Sequence, residues 1–163
     1  MKTPAVDCRL ADYAHAGDAQ AIVDLLDAYA RDPMGGAQPL SPYARTHLVA
    51  ALAARPQAFT VLAWVQGVPV GLANCFEGFS TFACKPLVNI HDFAVLPAHR
   101  GQGVSQGLMA QVEDEARRRG AVKLTLEVLQ GNRRAQALYA RCGFANYQLD
   151  PEMGCAQFLQ KYL

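Results

Sequence analysis

Phe93-Ala94-Val95-Leu96-Pro97-Ala98-His99-Arg100-Gly101-Gln102-Gly103-Val104-Ser105 is the stretch of this 163-residue chain whose reading decides the fold. An apolar strand runs into a proline, a glycine-rich turn follows, and a helix opens at once with Val104, Leu108, Val112 and Ala116 on one face. Gly120 ends that helix, and Arg117 to Arg119 suit the negative end of its dipole. Val122, Leu124, Leu126 and Val128 then alternate with Lys123, Thr125 and Glu127, the period of a strand. Strand, glycine turn, helix, strand is a parallel β-α-β unit, which crosses over right-handed.

Upstream, the strand from Leu87 to Leu96 changes phase. Val88 and Ile90 are apolar at even positions, Phe93 and Val95 at odd ones. Because the strand period is two, the slip at His91-Asp92 implies one extra residue, a β-bulge. A central strand apolar on both faces would give the same pattern. Phe59 to Val65 and Val70 to Phe76 form a hairpin around Gln66-Gly67-Val68-Pro69. Before it lie a helix capped by Asp18, with Ile22, Leu25, Leu26 and Tyr29 on its apolar face, and a helix opened by Ser41-Pro42. Val6 to Leu10 is a first strand. Downstream, Asn132 caps a helix carrying Ala135, Leu138, Tyr139 and Cys142, Gly143 closes it, and Phe144 to Leu149 and Cys155 to Leu159 read as final strands. The expected architecture is α/β (α+β): a mixed, mostly antiparallel twisted sheet of about seven strands flanked by about four helices. The length suits one domain over residues 1–163.

Composition narrows the function. The hydrophobic fraction is 52% and the charged fraction 18%, which excludes a disordered chain. The net charge of +1 argues against a nucleic-acid or anionic-membrane partner. No stretch is apolar enough for a membrane span, and MKTPAVDCRL lacks a signal-peptide core, so a cytoplasmic location is expected. Five cysteines without a C-x-x-C pair, and four scattered histidines, fit no metal site. The charge is uneven, however. Residues 97–142 hold eight basic and four acidic side chains, whereas residues 1–96 hold six and eight. A basic segment in a neutral protein suits a small anionic ligand.

Arg100-x-x-Gly103 at the mouth of a helix is physically a phosphate cradle. Glycines let the backbone approach, first-turn N–H groups point outward, and the dipole favours an anion. Gly101-x-Gly103-x-x-x-Gly107 is also a near miss of the dinucleotide fingerprint, with Glu127 at the end of the next strand. Against that reading, such a unit begins a doubly wound parallel sheet, and here hairpins precede it.

Two separated motifs resemble the GCN5-related N-acetyltransferases, the GNAT superfamily. The first is Phe93-Ala94-Val95-x-Pro97-x-x-Arg100-Gly101-Gln102-Gly103-Val104; the second is Leu126-Glu127-Val128 followed by Asn132-x-x-Ala135-x-x-Leu138-Tyr139-x-x-x-Gly143-Phe144. The resemblance implies a GNAT fold with a bulge in the fourth strand and acetyl-CoA as co-substrate, with no metal. It implies that Arg100, Gly101, Gln102, Gly103, Val104 and Ser105 bind the coenzyme A pyrophosphate, Ser105 standing where the pattern has Gly or Ala. It further implies that Phe93, Ala94 and Val95 offer backbone groups to the pantetheine arm, that Asn132 contacts the cofactor, and that Tyr139 protonates the departing thiolate.

A lysine-like acceptor has a pKa near ~10.4, so at pH 7 about 1 in 2,500 molecules is neutral, a cost of roughly 4.6 kcal/mol. A general base offsets it, and Glu127, His91 and Asp92 are the candidates. Tyr29, Phe76, Glu77 and Phe79 are candidate substrate-binding residues in the front half. The expected activity is transfer of acetyl from acetyl-CoA to a primary amine of a small molecule or peptide, by direct attack in a ternary complex. A silent coenzyme A-binding sensor and a transferase for longer acyl groups are the alternatives. A homodimer is compatible with the family.

Overall fold

The computed structural model describes residues 5–163. Its elements are β1 (Val6–Leu10), α1 (Ala16–Arg31), α2 (Pro42–Ala53), β2 (Ala58–Val65), β3 (Val68–Ser80), β4 (Lys85–Val95), α3 (Val104–Arg118), β5 (Leu124–Leu126) and α4 (Arg133–Arg141). The chain divides into two compact units, Met1–Leu126 and Glu127–Leu163. All five strands belong to the first, in the order β1-β2-β3-β4-β5. The first four are antiparallel neighbours and β4–β5 is parallel, so the sheet is mixed.

Helices cover both faces of that sheet. Ile22, Leu25 and Leu26 of α1 and Leu52 of α2 share a buried cluster with Ala58, Leu62 and Leu72. On the opposite face α3 buries Val104, Leu108, Met109 and Val112. There a Cβ on Gly71 would come within 3.1 Å of the Leu108 side chain, and one on Gly107 within 2.8 Å of the Cys8 sulfur. These two glycines let α3 lie close to the strands.

The ladder between β3 and β4 shifts by one residue. Asn74 pairs with Asp92, but its neighbour Cys75 pairs with Ile90, so His91 is passed over. Paired residues share a face and a strand alternates faces. Ala73 and Cys75 face α3, so their partners Phe93 and Ile90 do too, although they are three apart in sequence. That accounts for the change of apolar phase. Pairing with β5 is confined to Val88↔Leu124, Asn89↔Thr125 and Ile90↔Leu126, ending where the shift begins.

Three expectations need correction. The sheet has five strands among the described residues, not seven: neither Phe144 to Leu149 nor Cys155 to Leu159 is a strand. Leu149, Phe158 and Leu159 are exposed, and one backbone bond, Ala156 N–H to the Tyr147 carbonyl, with one side-chain bond from the Cys155 thiol to Gln148 Oε1, links the two segments. Alternation stabilises a strand only when one face is covered. Next, α1 is capped by His15, whose ring accepts from the Asp18 N–H. Asp18 lies in the first turn instead, fully buried, and accepts Arg9 Nη1 at 2.6 Å and Nη2 at 2.7 Å. Finally, β5 is three residues long, because only Val88 to Ile90 pair with it.

Candidate active site

The turn after β4 has the form a bound diphosphate needs. Gly101 and Gly103 take φ of +77° and +87°, left-handed values that disfavour side chains. Gly103 is the N-cap of α3 and no side chain caps the helix. The first N–H groups of an α-helix have no intrahelical acceptor and carry the positive end of its dipole. Those of Val104, Ser105 and Gln106 are therefore available to an anion. Gln102 steadies the turn by donating to the Ala98 carbonyl at 2.9 Å.

Arg100 is engaged by groups of the protein itself. Its Nε donates to the Val95 carbonyl at 2.9 Å and its Nη2 to Asp32 Oδ2 at 3.0 Å. The guanidinium thus ties the end of β4 to the loop after α1. The Asp32 carboxyl is held below its ordinary pKa, first by the Met34 N–H and then by Arg100. A cavity of about 220 Å³ opens beside this pair, lined by Leu25, Tyr29, Asp32, Ala94, Val95 and Arg100 among others. Burial raises the pKa of the Tyr29 phenol, and the negative charges of Asp92 and Asp32 raise it further. Tyr29 therefore faces two carboxylates as a neutral hydroxyl.

The backbone of β4 is presented asymmetrically. Leu96 N–H bonds the Val70 carbonyl on β3. In an antiparallel ladder alternate residues turn their polar groups to opposite sides, so Phe93 and Val95 point theirs away from β3. That is the side where β5 has already ended. A bound arm could lie there as a strand would, and these residues fit it.

Asp92 and His91 sit at the register shift. His91 is exposed and meets the Phe76 ring edge-on, with centroids 5.5 Å apart. Asp92 Oδ2 accepts from Asn74 Nδ2 at 3.0 Å. Asn74 Oδ1 accepts from Thr60 at 2.7 Å, and Thr60 lies 3.0 Å from the Tyr13 hydroxyl. Asn74 and Thr60 are buried. Sequence reasoning missed both, although each is a polar residue inside an apolar strand, which is a readable signal.

Glu77 and Phe79 are not brought to the cavity. Glu77 accepts from Arg119 Nη1 at 3.2 Å, just past the C-terminal end of α3. The glycine turn is at the other end, about 22 Å away at 1.5 Å per residue. Phe79 pairs with Pro86 near the tip of the β3–β4 hairpin and is exposed. In the second unit, Asn132 Oδ1 caps α4 by accepting the Ala135 N–H at 3.1 Å. Tyr139 is buried on the apolar face of α4, its ring 5.8 Å from that of Phe144. Glu127 is exposed immediately after β5.

Residues 20–144 match the model of the acetyltransferase (GNAT) family. The chain belongs to that family. It is accordingly an acyltransferase, and it has named relatives. It is 41% identical over 86 residues to the streptothricin acetyltransferase of Streptomyces lavendulae, a match covering 51% of this chain and 46% of that one. It is 27% identical over 137 residues to the uncharacterized N-acetyltransferase YhfO of Bacillus subtilis, covering 80% of this chain and 86% of the relative. Among solved structures, the ribosomal-protein-alanine N-acetyltransferase of Brucella melitensis superposes with a TM-score of 0.72 at 21% identity, covering 97% of this chain and all of that one. At that identity the likeness concerns the fold.

Proposed function

We propose that this GNAT enzyme transfers acetyl from acetyl-CoA to a primary amine of a cationic acceptor, by direct attack in a ternary complex, and that residues 1–163 act as one domain. The observation that carries the reading is the uncapped N-terminus of α3, set behind two left-handed glycines beside the point where β5 leaves β4. The family match runs from residue 20 to residue 144, across both compact units, which supports the single-domain reading.

Each group has a role in this reading. The N–H groups of Gly101 to Ser105 hold the diphosphate, with Arg100 shaping the turn from behind. Phe93 and Val95 hold the pantetheine arm through their backbone, while the backbone groups of Ala94 are turned to β3; the family resemblance assigns Asn132 a cofactor contact as well. The register shift at His91 acts as a bulge that keeps β4 and β5 apart. Acetyl-CoA supplies an acetyl group activated as a thioester. The Val95 N–H is placed to stabilise negative charge on the acetyl oxygen as the amine attacks. The new C–N bond forms, the C–S bond breaks, Asp92 or His91 takes the amine proton, and Tyr139 gives one to sulfur. Glu127 is the remaining candidate base.

The acceptor class follows from charge. Tyr29 and Asp32 line the cavity beside Arg31 and Arg100, and the Asp92 carboxylate lies close enough to Tyr29 to raise its pKa. The acceptor groups for an ammonium are therefore Tyr29 and the two carboxylates, of which Asp92 alone has no arginine partner among the described residues. The streptothricin acetyltransferase likeness supports a basic acceptor of that kind. A screen of amines with acetyl-CoA, read by released thiol and by the mass of the product, tests the proposal. Acetylation of cationic primary amines is expected. Thiol release that no amine accelerates would overturn it.

A further inference from the structure

Asp92 differs from Asp18, Asp24, Asp27 and Asp32. Asp18 is paired with Arg9, Asp24 and Asp27 with Arg45, Asp27 also with Arg31, and Asp32 with Arg100. Asp92 has no cation within ion-pair distance among the described residues. What holds it is the Asn74 amide, at the end of a buried line of polar groups crossing three strands.

The line has one direction. The single proton of the Thr60 hydroxyl goes to Asn74 Oδ1, so the Tyr13 hydroxyl must donate to Thr60. Burial keeps Tyr13 protonated by raising its pKa. With Oδ1 fixed by Thr60, the amide can present only its NH₂ to Asp92. An amide oxygen turned towards the carboxylate would be repelled by it, so the bonds to Thr60 and to Asp92 select the same orientation. Three apolar strands thus carry polar groups whose arrangement serves the carboxylate at their end.

We propose that Asn74 is a positioning residue for acetyl transfer: held by Thr60 and Tyr13, it fixes Asp92 through Oδ2 and leaves Oδ1 to receive the acceptor ammonium. The inference rests on the N-acetyltransferase reading above and adds the device that orients its amine site. Tyr29 from α1 and Cys75 from β3 are titratable groups that feel the charge of this carboxylate, and His91 adjoins it on the same strand.

A double-mutant cycle tests it, using L-lysine amide, spermidine and streptothricin as acceptors at saturating acetyl-CoA. Asn74→Ala should lower kcat/KM for the amine about 10-fold while the KM for acetyl-CoA stays within about 2-fold. In the Asp92→Asn background the same substitution should change kcat/KM by less than about 2-fold, since the group it positions is already altered. Equal losses in both backgrounds, or a loss carried by the acetyl-CoA KM, would overturn the proposal and make Asn74 structural. Should Asn74→Ala not fold, Asn74→Ser and Thr60→Val enter the same cycle and are judged by the same outcomes. A wild-type enzyme that acetylates none of the amines defeats the transferase reading and this inference together. Additivity in an active enzyme defeats this inference alone.

Discussion

Asp18 shows what a fully paired carboxylate contributes. Two bonds from Arg9 and the Asp12 N–H outweigh its burial and lower its pKa to about 2. A folded pKa below the unfolded one means stability that is present above the unfolded value and lost as pH falls through the folded one. The contribution, about 2 kcal/mol, should be complete above pH ~4 and vanish as pH falls towards 2. Urea unfolding of Asp18→Asn should show a deficit at pH 7 that disappears near pH 2. A constant deficit would mean that the loss comes from packing. Asp32 offers a second test. Because its pair with Arg100 is partly exposed, Asp32→Asn should weaken acetyl-CoA binding only about 2- to 5-fold by calorimetry, through a looser turn. For Tyr139, removing the hydroxyl in Tyr139→Phe should lower turnover about 100-fold with acetyl-CoA affinity nearly unchanged. Turnover at the wild-type rate would leave it a core aromatic. Of these residues, the left-handed turn at Gly101 and Gly103 was legible because motif spacing is local. The pairing of Arg100 with Asp32, 68 residues away, and of Asp92 with Asn74, 18 away, depends on which strands become neighbours.

At the scale of elements, legibility followed how local each signal was. Ser41 caps α2 through the Ala44 N–H with Pro42 in the first turn, as the dipeptide suggests. The slip of apolar phase at His91-Asp92 falls where the β3–β4 register shifts. The first-turn acid of α1 was misread, because an arginine partner on β1, itself half-exposed, competes with capping. An exacting contact between helix and sheet is Gly107 of α3 over Cys8 of β1. Gly107→Ala should destabilise the fold by about 1–3 kcal/mol, as overpacked contacts do, in thermal or urea unfolding. Cys8→Ala combined with it should restore most of the loss. A lone Gly107→Ala as stable as wild type would mean that α3 shifts freely over the sheet.

For the molecule as a whole, β1 to β4 and the four α-helices were readable because each has a covered face and a marked start or stop. The two expected C-terminal strands were not formed, because apolar side chains such as Leu149, Phe158 and Leu159 find no surface to be buried against. The mixed sheet with helices on both faces leaves one uncapped helix end at the C-terminal edge of β4, and the account of function hangs on what binds there. Titration of the ¹⁵N-labelled protein with acetyl-CoA, followed by amide chemical shifts, tests that most directly. The largest shifts are predicted at Gly101, Gln102, Gly103, Val104, Ser105 and Gln106, with a second group at Phe93 to Val95. Saturating acetyl-CoA that leaves these amides unmoved, or moves a different part of the sheet, would contradict it.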